Sequence, residues 1–205
     1  MSRGSSEPAI VLVRHGETEW SRSGRHTGRT DIDLTATGED QARATGRLIG
    51  AVLAGAEPAQ VISSPRRRAL RTAELAGYRP TEVTEAAAEW DYGSLEGLTS
   101  AQIAQRYPGW SIWDGPVPGG EDADAVTKRF DALLTAISDH RDPGPALVFS
   151  HGHAIRCIAA RWLAEPVTAG RHYALGTGAV SALGFEREQP VLLRWNLDNS
   201  MTGPQ

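Results

Sequence analysis

The chain has 205 residues, of which 40% are hydrophobic and 22% charged, enough for one folded unit with a full core and against disorder. A net charge of −4, from 21 Lys plus Arg against 25 Asp plus Glu, lacks the basic surplus of a general nucleic-acid binder, and the single Cys157 excludes an internal disulfide or a Cys-rich zinc site. The leading MSRGSSEP has no apolar stretch of a signal peptide and no apolar run nears the ~20 residues of a membrane span, so a cytoplasmic chain with no membrane partner is expected.

Residues 1–205 read as a single domain, with 1–8 a flexible lead-in. Ala9-Ile10-Val11-Leu12-Val13 is a continuous, β-branched run suited to a strand buried on both faces. The stretch 16–34 is rich in Gly, Ser, Thr and Arg and reads as a loop. An amphipathic helix is predicted from Thr35 to about Ala54, with Thr35 or Thr37 as cap and Gly55 and Pro58 ending it. A strand begins at Val61-Ile62 and breaks at Ser63-Ser64-Pro65, and a helix carries on through Arg68 to Gly77. Residues 81–86 read as a strand, 98–107 as a short helix, 108–120 as a Pro/Gly-rich loop and about 121–140 as a helix. Pro145–Phe149 is a further buried strand, followed by a helix to about Leu163. Two last strands, 179–186 and 190–196, are joined by a tight polar turn. Strands alternating with helices imply an α/β fold, a three-layer sandwich with helices on both faces of a mostly parallel central sheet that gains an antiparallel strand from the final hairpin.

Open α/β sheets bind ligands beyond the carboxyl ends of their strands, and those ends carry the chain's most reactive residues. The first ends in Arg14-His15-Gly16-Glu17-Thr18, the second in Ser63-Ser64-Pro65 followed by Arg66-Arg67-Arg68, and the later one in Ser150-His151-Gly152-His153. Glu89-Trp90-Asp91-Tyr92-Gly93 follows the weaker strand. Guanidinium forks match phosphate oxygens. A neutral imidazole beside them is a competent nucleophile, a second imidazole can stabilise a transferring phosphoryl group, and a carboxylic acid can protonate the leaving oxygen. This set describes phosphoryl transfer through a phosphohistidine and requires no metal or cofactor.

RHGET at 14–18 resembles the signature of the histidine phosphatase superfamily, in its phosphoglycerate-mutase-like branch. SSPRRRALRTA at 63–73, EWDYGSLEGLT at 89–99, PGGED at 118–122 and SHGHAIR at 150–156 follow in the family's order, and within the branch the chain is most similar to compact actinobacterial acid phosphatases. The resemblance implies His15 as the phosphorylated nucleophile, Arg14, Arg68 and His151 as its pocket partners, and Glu89 as proton donor and later base. It implies Ser21, Thr27, Gly28 and Gly152 as contacts to the substrate phosphate, partly through backbone N–H groups. A small-molecule phosphomonoester is the expected partner, no nucleic acid is, and a homodimer is compatible with the resemblance.

Two departures bear on the reaction. Many relatives have Asn where this chain has Ser21. Mutases of the branch have a lysine at the position of Ser100 and an arginine pair beyond it, whereas Gln102 to Asp114 holds only Arg106 as a cation. The expected activity is therefore metal-independent phosphomonoester hydrolysis, with an acidic optimum set by the acid form of the donor. A phosphoglycerate mutase, a non-catalytic phospho-ligand binder and a His151-x-His153 metallohydrolase are the rival readings. Of the bland readings, Arg66 and Arg67 are taken as a solvated basic face, His26, His140 and His172 as surface or structural, His153 as pocket wall, and Cys157 as a small buried hydrophobe. Trp20, Trp90, Trp110 and Trp113 are candidate pocket walls, and Trp162 a core residue.

Overall fold

A computed structural model describes residues 7–140 and 143–198. Among them one six-stranded sheet forms, in the order β3-β2-β4-β1-β5-β6, from β1 (Pro8–Arg14), β2 (Gln60–Ser63), β3 (Glu82–Val83), β4 (Ala146–Ser150), β5 (Val180–Glu186) and β6 (Gln189–Leu197). β3, β2, β4 and β1 run parallel, and β5 opposes both β1 and β6.

Alternation along β1 builds both outer layers. Ile10 and Leu12 join one apolar cluster with Val126 and Phe130 of α5 (Ala123–Asp139) and Ile155 and Ile158 of α6 (Gly152–Trp162). Val11 and Val13 face the other way, onto Leu48, Ile49 and Leu53 of α2 (Ala36–Leu53) and Ala73 of α3 (Arg67–Leu75). Each such buried aliphatic contributes ~1.5–3 kcal/mol, so the β1 run is held from both sides and its carboxyl end is rigidly placed. Cys157 is fully buried in the first of these clusters, as a small apolar residue is expected to be. The chain is an α/β three-layer sandwich.

The elements depart from the sequence reading at three points. The predicted strand 81–86 shrinks to Glu82–Val83, because Thr84 caps a 3-10 turn at Glu85–Ala87 by accepting the Ala86 N–H. Inside the predicted loop 16–34 lies a one-turn helix, α1 (Glu19–Arg22), closed by reciprocal bonds between Thr18 and Ser21. A 3-10 turn, Val167–His172, packs against α6 and had no periodicity to announce it. Thr35 caps α2 as expected, but its end is made by Ala54 in the left-handed region at φ 49, one residue before Gly55. α4 (Ser100–Arg106) matches the short helix predicted there.

Candidate active site

Pairing in the sheet gathers the strand ends. Arg14 lies opposite Ser150, the His15 N–H donates to the Ser150 carbonyl at 3.1 Å, and the Ser64 N–H donates to the Phe149 carbonyl at 3.0 Å. β1, β4 and β2 thus deliver Arg14-His15, His151 and Ser64 to one edge. Gly16 lets the chain turn there against α2: a Cβ on it would lie 2.2 Å from the Gly38 carbonyl oxygen.

His15 is 6% exposed. Its Nδ1 lies 2.7 Å from the Gly16 carbonyl, which can only accept, so Nδ1 carries the proton and Nε2 keeps its lone pair. Burial, then the charges of Arg68 and Arg14, hold the imidazole well below the ordinary histidine value and keep it neutral. The His151 ring stands edge-on at 5.2 Å. Its Nδ1 receives the Arg68 Nε–H at 3.2 Å, so its proton sits on Nε2 and is donated to the Ser64 hydroxyl at 2.7 Å. Both nitrogens are engaged away from the cavity. Donation to a phosphoryl oxygen, as the family resemblance implies, requires exchanging Ser64.

Arg68 is similarly committed. Four of its five N–H groups go to His151 and to the carbonyls of Thr27, Gly28 and Thr30, all at 2.9–3.2 Å. Arg14 is freer. It donates from Nη1 to the Leu175 carbonyl, and its buried Nε has no protein partner. Gly152 makes room for it, since a Cβ there would sit 3.3 Å from the Arg14 Cζ.

Glu89, 8% exposed, accepts three backbone N–H bonds, from Trp90 (2.9 Å) and Ala154 (2.8 Å) on Oε1 and His153 (3.1 Å) on Oε2. Two of these are first-turn donors of α6, a favourable seat for a carboxylate.

A cavity of about 180 Å³ is lined by Arg14, His15, Ser21, Thr27, Glu89 and Gly152 among others, with the fully buried Arg68 and His151 behind its wall. Gly28 differs from expectation. Its N–H donates to Glu96 Oε1 at 3.0 Å and its carbonyl accepts from Arg68, so its amide is not on offer to a phosphate. Ser21 faces the cavity, but its hydroxyl donates to the Thr18 carbonyl and accepts the Thr18 N–H. Arg67, ion-paired with Asp33, belongs to the surface as expected, whereas Arg66 pairs with Glu85 but is only 16% exposed and lines a second cavity, so it is not the solvated position expected.

Sequence reasoning left several wall residues unassigned. His26, taken as surface or structural, lines the cavity, with its ring centroid 4.8 Å from Tyr92 and 5.2 Å from Trp110; burial lowers it to about 4. His153 is pocket wall as expected, and its Nδ1 accepts from the buried Tyr92 hydroxyl at 2.6 Å. Burial raises that phenol well above its ordinary value, so it stays the donor. Arg156, Leu175, Gly24 and Arg25 complete the wall. The tryptophans stand behind it: Trp113 against His153 at 5.2 Å, Trp110 against His26, Trp90 in the core and Trp20 beside Gly97. Trp162 is only partly buried, packed on Phe185. Glu96 was quoted only as part of a motif, yet its carboxylate ties the N–H groups of Gly28, Arg29 and Thr30. Three consecutive-loop donors on one carboxylate leave no periodic signal in a sequence.

A family model of the histidine phosphatase superfamily (branch 1) matches residues 10–198, the stretch holding every residue of this cavity. The chain belongs to that superfamily. It is a histidine phosphatase 44% identical over 177 residues to an acid phosphatase of Mycobacterium tuberculosis, covering 86% of each chain. It is 30% identical over 203 residues to a probable phosphoglycerate mutase, GpmB, of Salmonella paratyphi C, covering 93% of this chain and 91% of that one. The solved structure of the open reading frame Rv3214 from Mycobacterium tuberculosis superposes with a TM-score of 0.88 at 43% identity, over 92% of this chain and 97% of that one. Among the described residues, no helix of this histidine phosphatase is long and apolar enough to cross a membrane.

Proposed function

We propose that this histidine phosphatase hydrolyses small phosphomonoesters without a metal, through a phosphohistidine on His15. The observation that carries the reading is the fixed tautomer: a neutral imidazole with its Nε2 lone pair bare, in the same cavity as the Arg14 fork and the Glu89 carboxyl. His15 Nε2 attacks phosphorus as the P–O bond to the leaving alcohol breaks, and the carboxylic acid of Glu89 gives that oxygen its proton. The products of this half are the alcohol and phospho-His15. Water, losing a proton to the Glu89 carboxylate, then attacks phosphorus, the P–N bond breaks, and neutral His15 and the acid form of Glu89 return with inorganic phosphate. Arg14 supplies the free guanidinium donors for the phosphoryl oxygens, and Arg68 adds its one remaining N–H.

Hydrolysis is favoured over isomerisation by the region where mutases of the branch hold cations. Arg106 stacks on the Tyr107 ring at 5.4 Å and is absent from the cavity wall, and the Ser100 hydroxyl is engaged by His26 Nε2 at 3.2 Å. Because His15 titrates well below the ordinary imidazole value, its nucleophilic form persists into acid. Activity is therefore expected to be retained below neutrality.

The test follows inorganic phosphate and 2-phosphoglycerate together from 3-phosphoglycerate and a panel of phosphomonoesters, in chelator, with a trace of bisphosphoglycerate. Free phosphate without isomerisation is expected, and His15→Ala should abolish it while the circular dichroism spectrum is unchanged. Rapid isomerisation, loss of activity in chelator, or an active His15→Ala enzyme would each overturn the reading.

A further inference from the structure

Beyond the reacting groups, the cavity wall holds one built cation for which the reaction has no use. Arg156 projects from α6, and its Nε donates to the Gly170 carbonyl at 2.8 Å and its Nη2 to the Arg171 carbonyl at 3.1 Å. Its Cζ lies 4.7 Å from the Trp113 ring centroid. Trp113 is itself wedged against Trp90, His153 and Gly170. The guanidinium is thus held by a ring and by two carbonyls of the Val167–His172 turn, with Nη1 left as its unengaged corner.

What it lacks is a counter-ion. Among the described residues, no carboxylate forms an ion pair with Arg156. Arginines around the larger cavity of about 340 Å³ on the other side of Glu89 are neutralised in place: Arg29 by Asp91, Arg66 by Glu85, Arg129 by Glu121. A half-buried guanidinium that makes no ion pair among the described residues, and feels Glu89 only beyond ion-pair distance, is poised for an anion from outside. The phosphoryl group does not need it, since Arg14 already offers free donors beside His15. Arg25 also lines the cavity without an ion pair among the described residues, but it is exposed on the rim, where solvent weakens any ion pair it makes.

The remaining wall supports the same direction. His153 beside Arg156 is neutral, with its Nδ1 accepting from Tyr92, and His26 is neutral above about pH 4, so Arg156 is the fixed positive charge of that side. The cavity of about 180 Å³ is small against the ~300–1,000 Å³ of sites for drug-sized ligands. A short ester fits within it, and a larger leaving group would extend beyond its walls.

We propose that Arg156 determines specificity by receiving a carboxylate on the leaving-group side of the substrate. The preferred substrate class is then a short phosphomonoester that carries a carboxylate a few atoms from its phosphate. A single fork orients such an ester but is a poor device for retaining a bisphosphate through reorientation, so the proposal rests on, and is consistent with, the hydrolase reading.

The test compares 3-phosphoglycerate with glycerol 3-phosphate, which replaces the carboxylate by a hydroxymethyl group. The native enzyme should favour the first by tenfold or more in kcat/KM. Arg156→Gln should lose most of that preference, largely through KM, with the value for glycerol 3-phosphate changed less than threefold. Arg156→Lys, which keeps the charge and loses the fork, should recover part of it. The same pair titrated calorimetrically into His15→Ala and into His15→Ala/Arg156→Gln reads discrimination without turnover, so failure of the hydrolase mechanism is distinguished from failure of the Arg156 assignment. No native preference, equal losses on both esters, or a preference unchanged by Arg156→Gln would overturn the proposal. A role confined to holding the Val167–His172 turn would lower the melting temperature and affect both esters alike.

Discussion

Glu96 stands outside the reaction cavity, yet replacing it should be felt there. Its Oε1 accepts from Gly28 (3.0 Å) and Thr30 (2.7 Å), its Oε2 from Arg29 (3.3 Å), and the loop it gathers presents the carbonyls of residues 27, 28 and 30 to Arg68. Bonds to a charged acceptor contribute ~1.5–3 kcal/mol when desolvated, but water can replace those of the exposed Arg29 and Thr30, which leaves chiefly the bond to the buried Gly28. Glu96→Ala should therefore cost ~1–2 kcal/mol, about 3–6 °C in melting temperature for a chain of this size. With its loop released, Arg68 no longer fixes His151, and a further ~1.4 kcal/mol of transition-state stabilisation, a tenfold fall in kcat, is expected. Glu96→Gln retains Oε1 and should lose less than half of each. Thermal denaturation and kcat on an aryl phosphate, for all three proteins, check this. A lowered melting temperature with kcat unchanged would show that the loop does not act through Arg68, and no change in either would remove Glu96 from the account.

Two further outcomes concern stability. His15, His26, His151 and His153 are all held below the ordinary imidazole value by burial, His26 at about 4, so the unfolded chain binds more protons than the folded one below ~6.5. Stability should be complete above that pH and fall as it drops, by up to ~1.4 kcal/mol per pH unit for each histidine; a chemical-denaturation midpoint flat between pH 7 and 5 would contradict neutral burial. Ala54→Gly relieves a left-handed alanine at the end of α2 and should stabilise the protein by ~0.5–1 kcal/mol, seen as a higher denaturation midpoint with unaltered slope.

The floor of the site was legible because it is written in contiguous residues. Arg14-His15 and Ser150-His151 follow apolar runs whose strand character is plain, and parallel pairing of β1 with β4 leaves them no choice but adjacency. Glu89 was legible as part of a motif, although its seat on the α6 N-terminus was not. The rest depends on side-chain direction within irregular chain. His26 reads as a surface histidine until Tyr92 and Trp110 are found against it, and Arg156 is only the last letter of a motif until the Val167–His172 turn brings two carbonyls to its guanidinium. Hydrogen-bond direction was equally hidden. That His151 donates to Ser64, and that the Gly28 amide is already taken, follow from neighbours far away in sequence. α1 escaped notice because four residues cannot show a period, and its one signal is the pairing of Thr18 with a serine three positions on.

The shelf that carries Arg156 has a consequence for how such an enzyme can change. The carbonyls that orient this guanidinium belong to the Val167–His172 turn, and the ring beneath it to the irregular stretch before α5; among the described residues neither contributes a hydrogen bond to the central sheet. The phosphate end of the chamber hangs from β1 and β4, whose register tolerates no slip. Insertions and deletions can therefore reshape one end of the chamber while the other keeps its chemistry, so new substrates are reachable by exchanging two connecting segments on an unaltered catalytic base.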